Sequence, residues 1–175
     1  ASYGQDLDNL DLFDVIDRLE EIEGIERIRL SSLMPKFLTE TNIQRLSKYK
    51  KLCPHFHISM QSGNTEVLKR MNRKYSKELL IEVCSNLKKY FVNPYLAADV
   101  IVGFPGETED DFLECVEYCK KIGFSKIHVF PFSKREGTKA AGMSNQLDNA
   151  VKKQRARKLI EIDDISSILC NNNNY

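Results

Sequence analysis

Apolar and polar positions follow two rhythms along this chain. Four short runs are rich in β-branched and aromatic residues and predict strands: RIRLSSL (27–33), FHISMQS (56–62), LAADVIVGF (96–104) and KIHVFPF (126–132). Between them, Thr39 to Lys50, Thr65 to Met71, Lys77 to Tyr90 and Glu109 to Ile122 repeat their apolar residues at helical spacing. An earlier helix is predicted over about Leu10 to Glu23, with Leu12, Phe13, Ile16, Leu19 and Ile22 on one side. A last one is predicted over about Asn149 to Leu169, followed by a frayed polar tail over 170–175. No repeat or Gly/Ser linker divides residues 1–175, so a single domain is expected.

Strands alternating with helices imply right-handed βαβ units around a parallel sheet. Four strands do not close a barrel, which leaves open edges. A doubly wound sheet could use four, but the G-x-G-x-x-G fingerprint is missing. The stretch DVIVGFPGETEDDF (99–112) shows how one such unit turns. Val100, Ile101 and Val102 suit a strand covered on both faces. Gly103 and Gly106 bracket Phe104-Pro105 and permit a tight loop. Thr108 then reads as a helix N-cap with Asp111 completing a capping box, and Glu107, Glu109 and Asp110 suit the positive end of the helix dipole.

Every predicted strand finishes in residues unlike its interior. These are Ser31 and Ser32, then Gln61-Ser62-Gly63-Asn64, then the glycine loop, then Phe130-Pro131-Phe132-Ser133. Hydroxyls, an amide, an aromatic and open backbone at one end of a sheet suit a nucleoside-like ligand, although each type is also an ordinary turn residue.

Charge and cysteine usage narrow the chemistry. A net charge of +1 gives no overall case for nucleic-acid binding, so any such case rests on local clusters. Lys69, Arg70, Arg73, Lys74 and Lys77 form one cluster, and Lys134, Arg135 and Lys139 another; each can contact phosphate or form a solvated face. The run Lys152, Lys153, Arg155, Arg157, Lys158 reads as a polar helix face. The five scattered cysteines argue against a secreted disulfide scaffold. Cys115 and Cys119 fall on the inner face of a helix, as does Cys84. His55 and His57 share a strand face but lie at its far end from the loops, where hydrogen bonding is favoured over metal binding. His128 alternates with apolar neighbours as a sheet histidine. No metal ligand is assigned, and no apolar stretch approaches a membrane span or a signal peptide.

Three motifs, HISMQSGNTEVLKRMNRKY, DVIVGFPGETEDDF and IHVFPFSKREGTKAAGM, together resemble the radical S-adenosylmethionine tRNA methylthiotransferases. Within that family the chain is most similar to the branch acting on threonylcarbamoyladenosine beside the anticodon. The likeness runs from SYGQDL to about Ile162. It implies an α/β fold of partial TIM-like barrel type, with this chain supplying strands three to six of a six-stranded (βα) barrel. SYGQ would be the loop leaving the second strand.

The family analogy places S-adenosylmethionine at the strand ends. Gln61 and Ser62 would lie near its ribose and amino-acid portion and Gly103 near its adenine. Phe130 and Pro131 would cover the base, with Ser32 on the same rim. It also implies a tRNA partner, with Arg70, Arg73, Lys74, Lys134 and Arg135 as its contacts, an electron donor, and a cytoplasmic setting. The family's Cys-x-x-x-Cys-x-x-Cys motif for a [4Fe–4S] cluster is absent, so those ligands are expected upstream of Ala1, and no catalytic residue is assigned to this chain. The reading is therefore a fragment, inactive alone, of a larger transferase. Lys139 stands where the family usually has proline, which alters a loop. The competing reading is a non-catalytic α/β module that binds a nucleotide or RNA without iron.

Overall fold

The computed structural model describes Tyr3 and residues 10–172, with side chains to residue 164. Ser2, Gly4 and Gln5 of the expected opening loop, the Cys170 side chain and residues 173–175 of the expected tail lie outside the described residues.

Three parallel strands form the sheet in sequential order: β1 (His55–Gln61), β2 (Tyr95–Val102) and β3 (Lys126–Pro131). Helices α3 (Thr65–Arg70) and α4 (Lys77–Tyr90) carry the chain from β1 to β2, and α5 (Glu109–Ile122) from β2 to β3. Helix α6 (Asn149–Asn172) returns to pack on β3 and β2. Before the sheet lie α1 (Leu12–Glu21), a 3-10 turn at Pro35–Phe37 and α2 (Glu40–Leu46). The architecture is α/β with an open parallel sheet, consistent with part of a TIM-like barrel.

The first predicted strand, 27–33, is not a strand. It touches β1's line at two isolated parallel bridges, Ile28 to Leu52 and Leu33 to Ile58. Five residues separate the bridges on one side and six on the other, so no common register serves both. The chain itself shows why. Ile28 and Leu30 share one parity and Leu33 has the other, and a one-residue slip turns a strand's apolar set to the opposite face. His55, whose N–H is the next after Cys53 on that edge, turns it back to the Cys53 carbonyl at 2.7 Å, so no ladder bond joins the two bridges there.

Helices α4 and α5 match their predicted limits, α4 on its apolar stripe alone and α5 on stripe and cap together. The Thr108 side chain accepts from the Asp111 N–H at 3.1 Å, and Asp111 accepts from the Thr108 N–H at 3.0 Å, a complete capping box on α5. Helix α2 is shorter than predicted. Thr39 is its N-cap, and after Leu46 the chain tightens into turns in which Lys48 donates to the Arg45 carbonyl.

The sheet has two unlike faces. Phe56, Ile58 and Met60 of β1, with Leu96, Ala98, Val100 and Val102 of β2, are buried in a core shared with Val83, Leu87, Phe112, Val116 and Leu159. Truncating Ile58 or Leu87 to alanine is expected to cost about 2–5 kcal/mol. Alternate positions on the other face, His55, His57, Asp99, His128 and Phe130, are half-buried or exposed. Parallel strands place the ends of β1, β2 and β3 on one rim, with the loops that follow them.

Candidate functional site

At the end of β1 the backbone departs from the ladder. Ile58 pairs with Ala98 but Gln61 with Val100, so β1 uses three residues where β2 uses two. This bulge leaves Gln61 at φ 68°, a left-handed conformation that costs a non-glycine residue roughly 1–2 kcal/mol. Its surroundings enforce it. The Tyr75 hydroxyl donates to the carbonyls of Ser59 at 2.7 Å and Met60 at 3.2 Å, and burial pushes that phenol up to about 12. Gly63 donates its N–H to Cys115 Sγ at 3.1 Å and lies against Tyr118, leaving no room for a side chain. Asn64 accepts from the Val67 N–H at 2.8 Å to cap α3, and its amide meets Glu114 of α5. Gln61 is 9% exposed, and its amide, which has no hydrogen-bond partner among the described residues, is not one of the fully buried unpartnered groups, so it reaches solvent at the rim.

At the end of β2 the glycine loop is held by charge. Gly103 donates its N–H to Glu107 Oε1 at 2.8 Å. The same oxygen accepts from Arg155 Nη1 of α6 at 2.6 Å, while Arg155 also donates to the Glu107 carbonyl at 3.1 Å and to Glu109 at 3.1 Å. Side-chain exposure is 7% for Arg155 and 4% for Glu107, so this ion pair is almost fully removed from water. Burial pushes the Glu107 carboxyl above its ordinary range, against the opposing pull of the Gly103 N–H and Arg155. The space beside Gly103 is taken: at φ 73°, a Cβ there would lie 2.5 Å from Lys152 Cγ. Glycine at 103 is thus required by its backbone and by a lysine stem, a reason distinct from the ligand approach that the sequence suggested.

At the end of β3, Phe130 is half exposed on the open face and Pro131 lies at the rim. Beyond them Phe132 meets Phe104 edge to face at 5.1 Å. A cleft of about 620 Å³ opens there, walled by Pro131 to Lys134 on one side and by Gln146 to Asn149, Lys152 and Lys153 on the other.

The structure brings Gln61, Ser62, Gly103, Phe130 and Pro131 to one end of the sheet. Ser32 does not join them. It precedes Leu33, whose partner Ile58 lies three residues before Gln61. The serine thus falls level with the body of β1, not with its end. Among the predicted RNA contacts, Arg70 is committed to Asp111 at 2.9 Å and ties α3 to α5, with its Nε buried and unpartnered. Arg73, Lys74, Lys134 and Arg135 form no ion pair among the described residues; Lys74, Lys134 and Arg135 are exposed.

The histidines are engaged on the open face. His57 Nε2 lies 2.8 Å from Asp99 Oδ1, the His57 and His128 rings are 5.0 Å apart, and His55 stacks on Tyr95 beside Arg29. Burial and the Arg29 charge hold His55 below its ordinary value. Among the described residues no three His, Cys, Asp or Glu side chains are grouped to hold a metal ion. Cys84, Cys115 and Cys119 are buried on helices, and burial pushes Cys84 up to about 12.

Residues 152–158 are not merely a polar helix face. Lys152 and Arg155 point inward, and so does Asp163, which accepts the Ile127 N–H at 2.7 Å and pairs with Lys126 at 2.5 Å. The signal was the stripe: Lys152, Arg155, Ala156, Leu159 and Asp163 repeat at helical spacing around two apolar residues.

Comparison with known proteins adds a family. The model of the radical SAM superfamily matches residues 1–125. The chain is 46% identical over 138 residues to the threonylcarbamoyladenosine tRNA methylthiotransferase MtaB of Bacillus subtilis (strain 168), covering 79% of this chain and 31% of the relative. It is 40% identical over 168 residues to the tRNA-2-methylthio-N(6)-dimethylallyladenosine synthase of Thermoanaerobacter sp. (strain X514), covering 95% of this chain and 36% of the relative. The synthase of the same name from Alkaliphilus oremlandii (strain OhILAs) is 42% identical over 168 residues, with 95% and 36% covered. The chain thus spans about a third of the length of these relatives.

Proposed function

The chain belongs to the radical SAM superfamily, and on that premise we propose that it provides the S-adenosylmethionine half-site of a tRNA methylthiotransferase acting on threonylcarbamoyladenosine. The observation that carries this reading is the rim itself. A glutamine whose amide reaches solvent unpaired, held in a strained conformation, shares one end of a parallel sheet with an anchored glycine loop and an exposed aromatic. Strain maintained by its surroundings at a strand end is a mark of a pre-organised site.

When bound, S-adenosylmethionine supplies the methyl group and the radical precursor. The chain's own work is to hold and shield it. Gln61 offers both a donor and an acceptor to ribose or amino-acid groups, with Ser62 beside it. The loop from Gly103 to Glu107, fixed by Arg155, and the Phe130-Pro131 step flank the adenine and exclude water. Ser32 is left out of this set. The iron–sulfur cluster that superfamily chemistry calls for is assigned to none of the cysteines described. Those of α4 and α5 are buried in the core and Cys53 precedes β1.

A tRNA substrate, an electron donor and a cytoplasmic setting complete the proposal. Among the described residues no helix is long and apolar enough to cross a membrane. The Bacillus subtilis relative supports threonylcarbamoyladenosine as the modified base. The relatives named for dimethylallyladenosine match over a larger share of the chain and favour that base as the second reading. Mass spectrometry of tRNA nucleosides from cells lacking the protein that carries this chain decides between them. The first reading expects loss of the 2-methylthio group from threonylcarbamoyladenosine alone; its loss from dimethylallyladenosine would support the second, and loss from neither would end both.

A further inference from the structure

We propose that the cleft between the end of β3 and the start of α6 is a phosphate-binding site for the RNA strand, with Lys152 as its central cation. Lys152 is 6% exposed as a residue, and its ammonium, which has no hydrogen bond or ion pair among the described residues, is not one of the fully buried unpartnered atoms. Among the described residues the ring of Phe132 lies 5.4 Å from it. The stem is what is buried; the ammonium keeps its exposure on the cleft side and is presented, without a partner of its own among the described residues, to whatever enters the cleft. Here the side of the lysine facing protein is already occupied by its stem against Gly103, and its head lines the cleft.

The rest of the lining fits an oxyanion. Lys134 and Lys153 stand at the mouth, and the cleft reaches the first turn of the 24-residue helix α6, where the dipole favours negative charge. Asp148 is the one carboxylate of the lining, and it pairs with none of the three lysines. One wall is braced by Gln146, which donates to the carbonyls of Ala140 at 2.9 Å and Met143 at 3.1 Å. At about 620 Å³ the opening is far larger than a phosphate group, as a strand running through it requires. Arg135 continues the basic edge beyond Lys134.

This inference rests on the tRNA reading, and the test separates the two. Binding of a fluorescein-labelled RNA stem-loop to the chain is measured by anisotropy across a salt series. The variants are Lys152→Met, which keeps the stem on Gly103, Lys152→Arg, which restores the charge, and Lys121→Met on the far surface. Lys152→Met is expected to bind roughly tenfold more weakly, with the salt slope reduced by about one, while Lys152→Arg recovers most of the affinity and Lys121→Met changes nothing. Circular dichroism establishes that each variant is folded. Should Lys152→Met not fold, Lys134→Met with Lys153→Met tests the same cleft, and unchanged RNA affinity in that pair overturns the proposal. If the wild-type chain binds RNA and Lys152→Met binds it equally well, the cleft is not the site and the tRNA reading stands. Weakened S-adenosylmethionine binding in Lys152→Met with RNA binding unaltered would also overturn the proposal, by giving the cation to the cofactor. No RNA binding by the wild-type chain would count against both.

Discussion

Replacing Arg155 by methionine is the sharpest test of how the glycine loop is held. The substitution keeps an unbranched stem on α6 beside Phe112 but removes hydrogen bonds at 2.6, 3.1 and 3.1 Å. It leaves Glu107 buried with only the Gly103 N–H to offset its charge. Breaking a buried ion pair on one side costs about 3–5 kcal/mol. For a chain of this size that lowers the melting temperature by roughly 6–20 °C.

The loss should depend on pH with a definite sign. Glu107 already has its carboxyl raised by burial, and without Arg155 it rises further. A group whose folded value is raised contributes stability below its unfolded value, about 4.3, and that stability is lost as pH rises through the folded value. The deficit of Arg155→Met is therefore larger at pH 8 than at pH 5.5. Adding Glu107→Gln, which still accepts from Gly103, should restore about half of it at pH 8. Urea unfolding followed by circular dichroism at both pH values measures all of this. A loss below about 1 kcal/mol, an equal loss at both pH values, or no rescue by Glu107→Gln would refute the reasoning.

Gly103→Ala meets both a positive φ and the Lys152 stem, and is expected to lower stability by about 2 kcal/mol in urea. Combining it with Lys152→Ala should relieve part of that loss. Gln61→Gly should be neutral or slightly stabilising, because glycine accepts φ 68° without strain, while S-adenosylmethionine affinity falls in calorimetry. His55 is held below its ordinary value by burial and Arg29. The fold should thus lose stability as pH falls from about 6.5, where unfolded histidine charges, down through the folded value. His55→Gln should flatten that limb of a pH–stability profile.

Much of this fold was legible because stripe, cap and loop agree locally. Lys77–Tyr90 was read to the residue from its apolar period alone, and Glu109–Ile122 because that period and the Thr108–Asp111 box specify the same start. The rim was legible too, because Gln61-Ser62, Gly103 and Phe130-Pro131 each interrupt a strand pattern, and a parallel sheet must gather such interruptions at one end. Residues 27–33 misled because β-type composition outweighed the parity break between Leu30 and Leu33. Composition does not set register. Ser32 went with it, since its place on the rim assumed a full strand. Lys152 and Arg155 were hidden by their charge: lysine and arginine are mostly exposed, and only the packing of Lys152 on Gly103 and the pairing of Arg155 with Glu107, both distant in sequence, bring them inside. The bulge at Gln61 leaves no local signal, because Tyr75 and Cys115, which hold it, are distant in sequence.

The central claim is that the rim holds S-adenosylmethionine, and a titration of the 15N-labelled chain followed by amide NMR tests it most directly, since weak binding to a half-site still shifts the resonances that it touches. The account expects progressive, saturable shifts at Gln61 to Asn64, Gly103 to Gly106 and Phe130 to Ser133. Amides at the opposite end of the strands, His55, Tyr95 and Lys126, should stay unmoved. Shifts centred on that opposite end, or none at millimolar S-adenosylmethionine, would contradict it.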